Sequence, residues 1–384
     1  MDSNKIEPFL CIIAIASIFS TLSLIKPKVS QILVDDSSDP IPDFPPAYVG
    51  RVDFAVETDG QLYRSVKVAT SETILESEDF AEVLENITRV ASETGGGVIL
   101  IKSGTYIIAQ RHTIVRPYSD WVYFVGALIY KPRNIMVVGE GNSTVLVSSA
   151  NVTNPIYVYN AVNFTISNLV VYGAKHLQSR PYYDCYGLIF NDGGGENITY
   201  HDLLLKKGKY MGIYVGNNDF LCEVVPQELA WYCPTKNVII YNVLTWDCGT
   251  GVFLDHVFDG KAFNIISVRD GAAMGFAGLS WEYTDKTFEN VTVIDPVSCV
   301  FTGWYPQGKL KNIIVYLSSS SYWRLFNFER ATIIEIENVT IYTKTPLFGC
   351  LFYSDGGEIK LNGEIKVCEW QEPSLTFPSY QPYY

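Results

Sequence analysis

The sequence predicts an all-β solenoid, a right-handed parallel β-helix of about eight coils, preceded by an N-terminal capping helix and a hydrophobic anchor segment. Three observations predict it. A phrase of Asn or Asp followed by β-formers recurs as Asn168-Leu-Val-Val, Asp202-Leu-Leu-Leu, Asn242-Val-Leu-Thr, Asn264-Ile-Ile-Ser, Asn290-Val-Thr-Val, Asn312-Ile-Ile-Val and Asn338-Val-Thr-Ile. A second phrase, Gly followed by alternating apolar residues, runs in phase with it at Gly187, Gly212, Gly251 and Gly275. Only one amphipathic helical pattern occurs, and it ends in Gly95-Gly-Gly97 just before the first strand.

In chain order, Phe9 to Ile25 is an apolar run of 17 residues without a charge, flanked by Lys5 and Glu7 and then by Lys26 and Lys28. It is short for a span and long for a signal core, with no A-x-A site at its far end, so anchor, cleaved signal and buried helix all remain open for residues 1–26. Residues 27–47 carry five prolines among Asp and Ser, the composition of an extended spacer. Residues 48–94 form a cap whose helix spans Ser77 to Thr94, with Phe80, Val83, Leu84, Ile87 and Val90 at three- and four-residue steps. Residues 95–370 are the coils and 371–384 a tail.

The phrase intervals of 34, 40, 22, 26, 22 and 26 describe one coil of three short strands, with insertions in the two long cases. A single coil cannot bury its own apolar face; stacking buries a continuous core. Asn suits the turn because it tolerates left-handed geometry and its amide can bond from coil to coil. A leucine-rich repeat is excluded by the absence of L-x-x-L-x-L.

A formal charge of −13 gives none of the basic footprint that nucleic-acid binding requires. Seven N-x-S/T sequons, at Asn86, Asn142, Asn151, Asn163, Asn197, Asn290 and Asn338, compare with about three expected from composition. They argue for export and glycosylation, unless a Thr-rich repeat accounts for them. Cys222 with Cys233, inside one insertion, and Cys350 with Cys368, in the last coils, are candidate disulfides of an oxidising compartment. The positive-inside tendency of Lys26 and Lys28 points the other way. On balance the body is expected outside the cell, secreted or tethered to the membrane.

The chain also carries Gly95-Gly-Gly-Val-Ile-Leu-Ile-Lys-Ser-Gly-Thr-Tyr106, followed by Asn134-Ile-Met-Val-Val-Gly-Glu-Gly-Asn-Ser-Thr-Val-Leu146. With these segments it resembles the pectate-lyase-like β-helix superfamily over roughly residues 75 to 370, Ser103 standing where the P-G-T-Y turn has proline. The resemblance implies the fold and a carbohydrate ligand along one outer face, but its members include lyases, hydrolases, epimerases and non-catalytic adhesins. The Gly-His-Gly, Asp-Asp and Arg-x-Lys of polygalacturonase-type hydrolases are missing.

Equivalent residues of successive coils stack about 4.8 Å apart, so columns carry the candidate chemistry. Behind the Gly-led strand the expected column contains Asp192, Asn217, Asp255, His256, Trp281, Glu282, Trp304 and Arg330. Asp255, His256, Glu282 and Arg330 are candidate catalytic residues, and Asp192, Asn217, Trp281 and Trp304 candidate sugar contacts, since flat rings and carboxylates suit a sugar polymer. Asp247, Asp270 and Asp295 form a second expected column, able to hold Ca²⁺ if all three face outward. Two function classes stay open: a lyase or glycosidase acting on polysaccharide, and a surface protein that binds glycan or protein without cleaving it.

Overall fold

The computed structural model describes residues 50–115, 122–175, 187–216, 235–277, 286–304, 307–319, 324–329, 333–347, 349–356, 358–373 and 375. The apolar run at 9–25, the spacer, Cys222, Cys233, Asn217, Trp281, Glu282 and Arg330 lie outside the described residues. Among the described residues no helix is long and apolar enough to cross a membrane.

Strands Phe54–Thr58, Tyr63–Lys67 and Glu72–Ser77 form an antiparallel meander, and the first also runs parallel to Gly97–Ile101, which ties the meander to the first coil. Helix Phe80–Glu93 follows. It starts where the Asp79 carboxylate accepts from the Ala81 N–H, which caps an orphan donor, so it is shorter at its front than the apolar pattern suggests. Its buried side chains Phe80, Val83, Leu84, Ile87 and Ala91 join one core with Ile99, Ile101 and Ile135 of the first coils. Each such large side chain contributes roughly 1.5–3 kcal/mol by leaving water. The chain then leaves through Gly96 at φ 106°, where a Cβ would stand 2.4 Å from the Asn134 carbonyl oxygen; only glycine fits.

From there the coils pair in parallel, each with the next, and only strand His112–Val115 among the described residues folds back antiparallel, on Val122–Tyr130. Each coil has three faces: a Gly-led strand such as Thr250–Asp255, then the two arms of a bent strand such as Val257–Val268. The bend between the arms is the repeated turn. Asn168, Asp202, Asn242, Asn264, Asn290, Asn312 and Asn338 all sit there in register, at φ between 51° and 58°. From Asp202 to Asn338 each amide donates to its neighbour one coil back, at 2.9, 3.3, 3.5, 3.1 and 3.2 Å. A second ladder, at the start of the same arm, joins Asn134, Asn163, Asn197 and Asn237 at 2.7, 2.8 and 3.0 Å.

These ladders absorb four of the seven sequons, at Asn163, Asn197, Asn290 and Asn338. The amide nitrogen that would carry a glycan is there a ladder donor. Asn86 lies in the helix with a buried Oδ1, and only Asn142 and Asn151 are exposed outside a ladder. The repeat's need for Asn in a left-handed turn before β-formers thus accounts for most of the excess.

The expected Cys350–Cys368 bridge is not formed; Cys248, Cys299, Cys350 and Cys368 are all free thiols. Cys350 stacks on Arg324 of the Gly-led face, whereas Cys368 stacks on Tyr342 of a different face, so the two stand on different strands of the coil.

Candidate functional site

Along the Gly-led face, side chains alternate strictly between core and exterior. Ile189, Ile213, Val252 and Met274 point inward and join the main core, while Tyr157, Phe190, Tyr214 and Phe253 point outward into a second apolar cluster. Register places those four aromatics one above another. Tyr157 stacks on Phe190 at 4.8 Å between centroids, Phe190 tilts against Tyr214 at 5.1 Å, and Tyr214 stacks on Phe253 at 6.0 Å. The row stops at Gly275, where a Cβ would meet the Phe253 ring at 2.5 Å. Beyond it follow Thr302 and Asn327.

Two residues further along each strand is the polar column expected from the sequence, with corrections. Asp192, Asp255, Trp304 and Glu329 do fall in one register column. The coil between the two aspartates contributes Gly216, whose N–H donates to the Asn191 carbonyl, so Asn217 is one residue past the column. Likewise the coil expected to contribute Trp281 supplies Ala277 instead, because the strand ends four residues earlier.

The aromatic row and the acid column are bonded to each other. Tyr157 Oη donates to Asp192 Oδ2 at 2.9 Å, and Tyr214 Oη donates to Asp255 Oδ2 at 2.6 Å. Asp255 also contacts His256 Nδ1 at 2.6 Å through its other oxygen. His256 occupies the corner where the chain turns from the Gly-led strand into the next arm, at φ 49°. Asp192 is fully buried, Asp255 8% exposed and His256 4% exposed. Close by, Lys286 begins the corresponding arm two coils on, in register with Gly260 and Val238; it is buried outright and donates to the Ala277 carbonyl. Burial pushes the Asp255 carboxyl up, but His256, Tyr214 and Lys286 outweigh it and hold the group below its ordinary value. The site is thus an ionised carboxylate in a largely buried place, bracketed by an imidazole, a phenol and an ammonium.

Sequence reading found Asp255 and His256 but missed Tyr157, Tyr214 and Lys286. The tyrosines were legible in principle, since Gly212-Ile-Tyr-Val places Tyr214 opposite in parity to the buried Ile213. Lys286 gave no such signal, because its place depends on where the chain returns after residues 278–285.

Beside Phe253 the same face carries a recess of about 220 Å³, rimmed by Tyr210, Thr250, Ser298 and Thr302. It is smaller than the roughly 300–1,000 Å³ of a drug-sized site.

The second expected column comes apart. Lys207, Asp247, Arg269 and Asp295 share the corner that leads back to the Gly-led face, each at φ between 46° and 57°. Their charges alternate down the column. Asp247 is bridged by Lys175 Nζ at 2.8 Å and Lys207 Nζ at 3.2 Å, and Asp295 accepts from the Ser318 N–H at 2.6 Å. Asp270, one residue past Arg269, turns into the interior and is fully buried. There it accepts from Thr245 Oγ1, Ser267 Oγ and the Cys248 N–H at 2.5, 2.6 and 2.7 Å. Burial dominates these donors and pushes its carboxyl up to about 7. The three acids therefore do not converge on a cation, and among the described residues no group of three His, Cys, Asp or Glu side chains does.

No family model and no curated protein matches the sequence. Among solved structures, the chain is similar to a hyperthermoactive exopolygalacturonase from Thermotoga maritima at 10% identity, TM-score 0.50, covering 75% of this chain and 88% of that one. The mannuronan C-5 epimerase AlgE4 A-module of Azotobacter vinelandii matches at 13% identity and TM-score 0.42, over 78% of this chain and 96% of that one. An alginate lyase from a Paenibacillus strain matches at 11% identity and TM-score 0.38, over 74% of this chain and 97% of that one. At such identities the likeness concerns architecture. With its parallel coils, its asparagine ladders and its helix-capped first coil, the chain has the pectate-lyase-like β-helix fold.

Proposed function

We propose that this chain binds a polysaccharide along the outer side of its Gly-led face, with Asp255 and His256 as the proton-transfer couple. The observation that supports this reading is the 2.6 Å carboxylate–imidazole contact in a nearly buried place, braced by Tyr214 and Lys286. Solenoid packing does not require such a cluster, and its desolvation costs several kcal/mol per ion before partners offset it. The aromatic row and the hydroxyl-rimmed recess next to it have the character of a sugar site. Asp192 and Asp255 stand two coils apart, roughly 10 Å, at or beyond the wide limit for a pair of glycosidase carboxylates. Proton abstraction by one couple therefore suits the site better than hydrolysis by two acids.

The second reading, a surface protein that binds without cleaving, is favoured by the complete burial of Asp192. Placement outside the cell belongs to the proposal and draws on the apolar run at 9–25; the ladder sequons no longer add to it. The test is incubation with a panel of acidic and neutral polysaccharides, with and without Ca²⁺, reading unsaturated product and reducing ends. Asp255→Asn should abolish turnover while leaving affinity within a few-fold. Binding without any product across the panel selects the second reading, and no binding at all overturns both.

A further inference from the structure

The two ends of the solenoid differ. At the front, the helix Phe80–Glu93 and the antiparallel meander cover the first coil. At the back, strand Glu358–Glu369 pairs, among the described residues, on one side only, with Ile333–Thr343. Its core-facing residues Leu361 and Val367 stack on the buried Ile336 and Ile341, yet are 51% and 56% exposed. Among the described residues the apolar core is therefore open here, and beside it runs a row of backbone donors and acceptors without strand partners, a template for another strand.

We propose that this open end is an interface with a second copy of this chain, related by a two-fold axis at Asn362. The strand reads Glu358-Ile-Lys-Leu-Asn-Gly-Glu-Ile-Lys366, and its sequence is complementary to its own reverse. Antiparallel pairing centred on Asn362 sets Glu358 opposite Lys366 of the second copy, Lys360 opposite its Glu364, and Ile359 opposite its Ile365. Each pair then recurs by symmetry, as an isologous contact requires. The register is discriminating, because only shifts that preserve side-chain parity keep core residues facing the core. Centring on Gly363 would oppose Lys360 and Lys366, and centring on Leu361 would oppose Glu358 and Glu364; both place like charges together.

The bend matches as well. The chain turns at Gly363, φ 101°, where the ladder asparagine of earlier coils is replaced. The two-fold axis at Asn362, one residue before that turn, exchanges residues 358–361 with residues 363–366 of the second copy, so both stretches find partners at once. The described part of the tail does not compete for this end. Trp370 packs edge-on against Tyr316 at 6.0 Å, under the Lys344 ammonium, and Leu375 joins the side cluster that includes Tyr316. Tyr316 belongs to the coil two before the last, so Trp370 and Leu375 lie back along the side.

The experiment uses the full chain in mild detergent. In a Cys350→Ser, Cys368→Ser background, Asn362→Cys should form a disulfide-linked dimer on mild oxidation, whereas Lys311→Cys, on the side of the solenoid, should not. Lys360→Glu with Lys366→Glu makes the edge wholly acidic, and Glu358→Lys with Glu364→Lys makes it wholly basic. Each double variant alone should associate at least about tenfold more weakly in sedimentation, and an equimolar mixture should restore the dimer. All four positions are on the exposed edge, so circular dichroism should report unchanged folding. A monomeric wild type, equal cross-linking of the Lys311→Cys control, or charge reversal without effect overturns the proposal. So does a monomer that dimerises only after residues 376–384 are removed, which would make the tail the cap.

Discussion

Asp255 and Asp270 are both buried aspartates at corners of neighbouring coils, and they have opposite electrostatic fates. Asp255 shares its corner with an imidazole and an ammonium and is held ionised, below its ordinary range. Asp270 has three neutral donors within 2.7 Å and still titrates near 7. The difference teaches that hydrogen bonds do not by themselves keep a carboxylate charged in this core; the imidazole and ammonium at Asp255 do, whereas Lys175, which pairs with Asp247, does not suffice at Asp270. The first arrangement suits proton transfer and the second suits a structural brace.

The largest expected effect breaks the Asp255 side. His256→Ala leaves that carboxylate without its imidazole and should destabilise the fold by about 3–5 kcal/mol, read as a lowered urea midpoint with unchanged m-value. A loss under 1 kcal/mol would show that Lys286 alone sustains the charge.

The pH dependence sharpens the comparison, because the signs are opposite. The raised Asp270 group favours the folded state while protonated, so its contribution is full below about 3.8 and fades as pH rises through about 7. From pH 5 to pH 8 that loss is roughly 3 kcal/mol. Asp270→Asn should flatten this slope, whereas the contribution of Asp255 survives there and is lost only as acid takes it below its ordinary range. Parallel urea titrations of wild type and Asp270→Asn at the two pH values decide it; equal slopes would mean that Asp270 is ionised in the fold.

The smallest effect tests a corner with no charge at all. Asn312→Gly keeps the left-handed turn and loses two ladder bonds, for roughly 1–2 kcal/mol. Asn312→Ala adds the left-handed backbone penalty of about 1–2 kcal/mol. If Gly and Ala cost the same in thermal unfolding, the amide ladder, and not the backbone geometry, selects asparagine there.

By itself the sequence determined the period, the turn residue and the strand parity. These are local properties: Asn in a left-handed turn, β-formers after it, and apolar residues at every second place, repeated until a core must form. It therefore also placed Asp192, Asp255 and Trp304 in one column correctly. The tertiary structure alone decided everything that turns on a single residue of offset. Asp270 stands one position past the corner that Arg269 occupies, and that step exchanges an outward acid for an inward one. For the same reason the column passes through Gly216 and Ala277 where Asn217 and Trp281 were expected, since strand ends are set by where a chain leaves its neighbour and not by its own pattern. Lys286 could be assigned only in three dimensions. A lone lysine in a strand normally lies on a solvated edge, and this one is buried because the return of the chain places it beside the Asp255 corner, where a negative charge already stands.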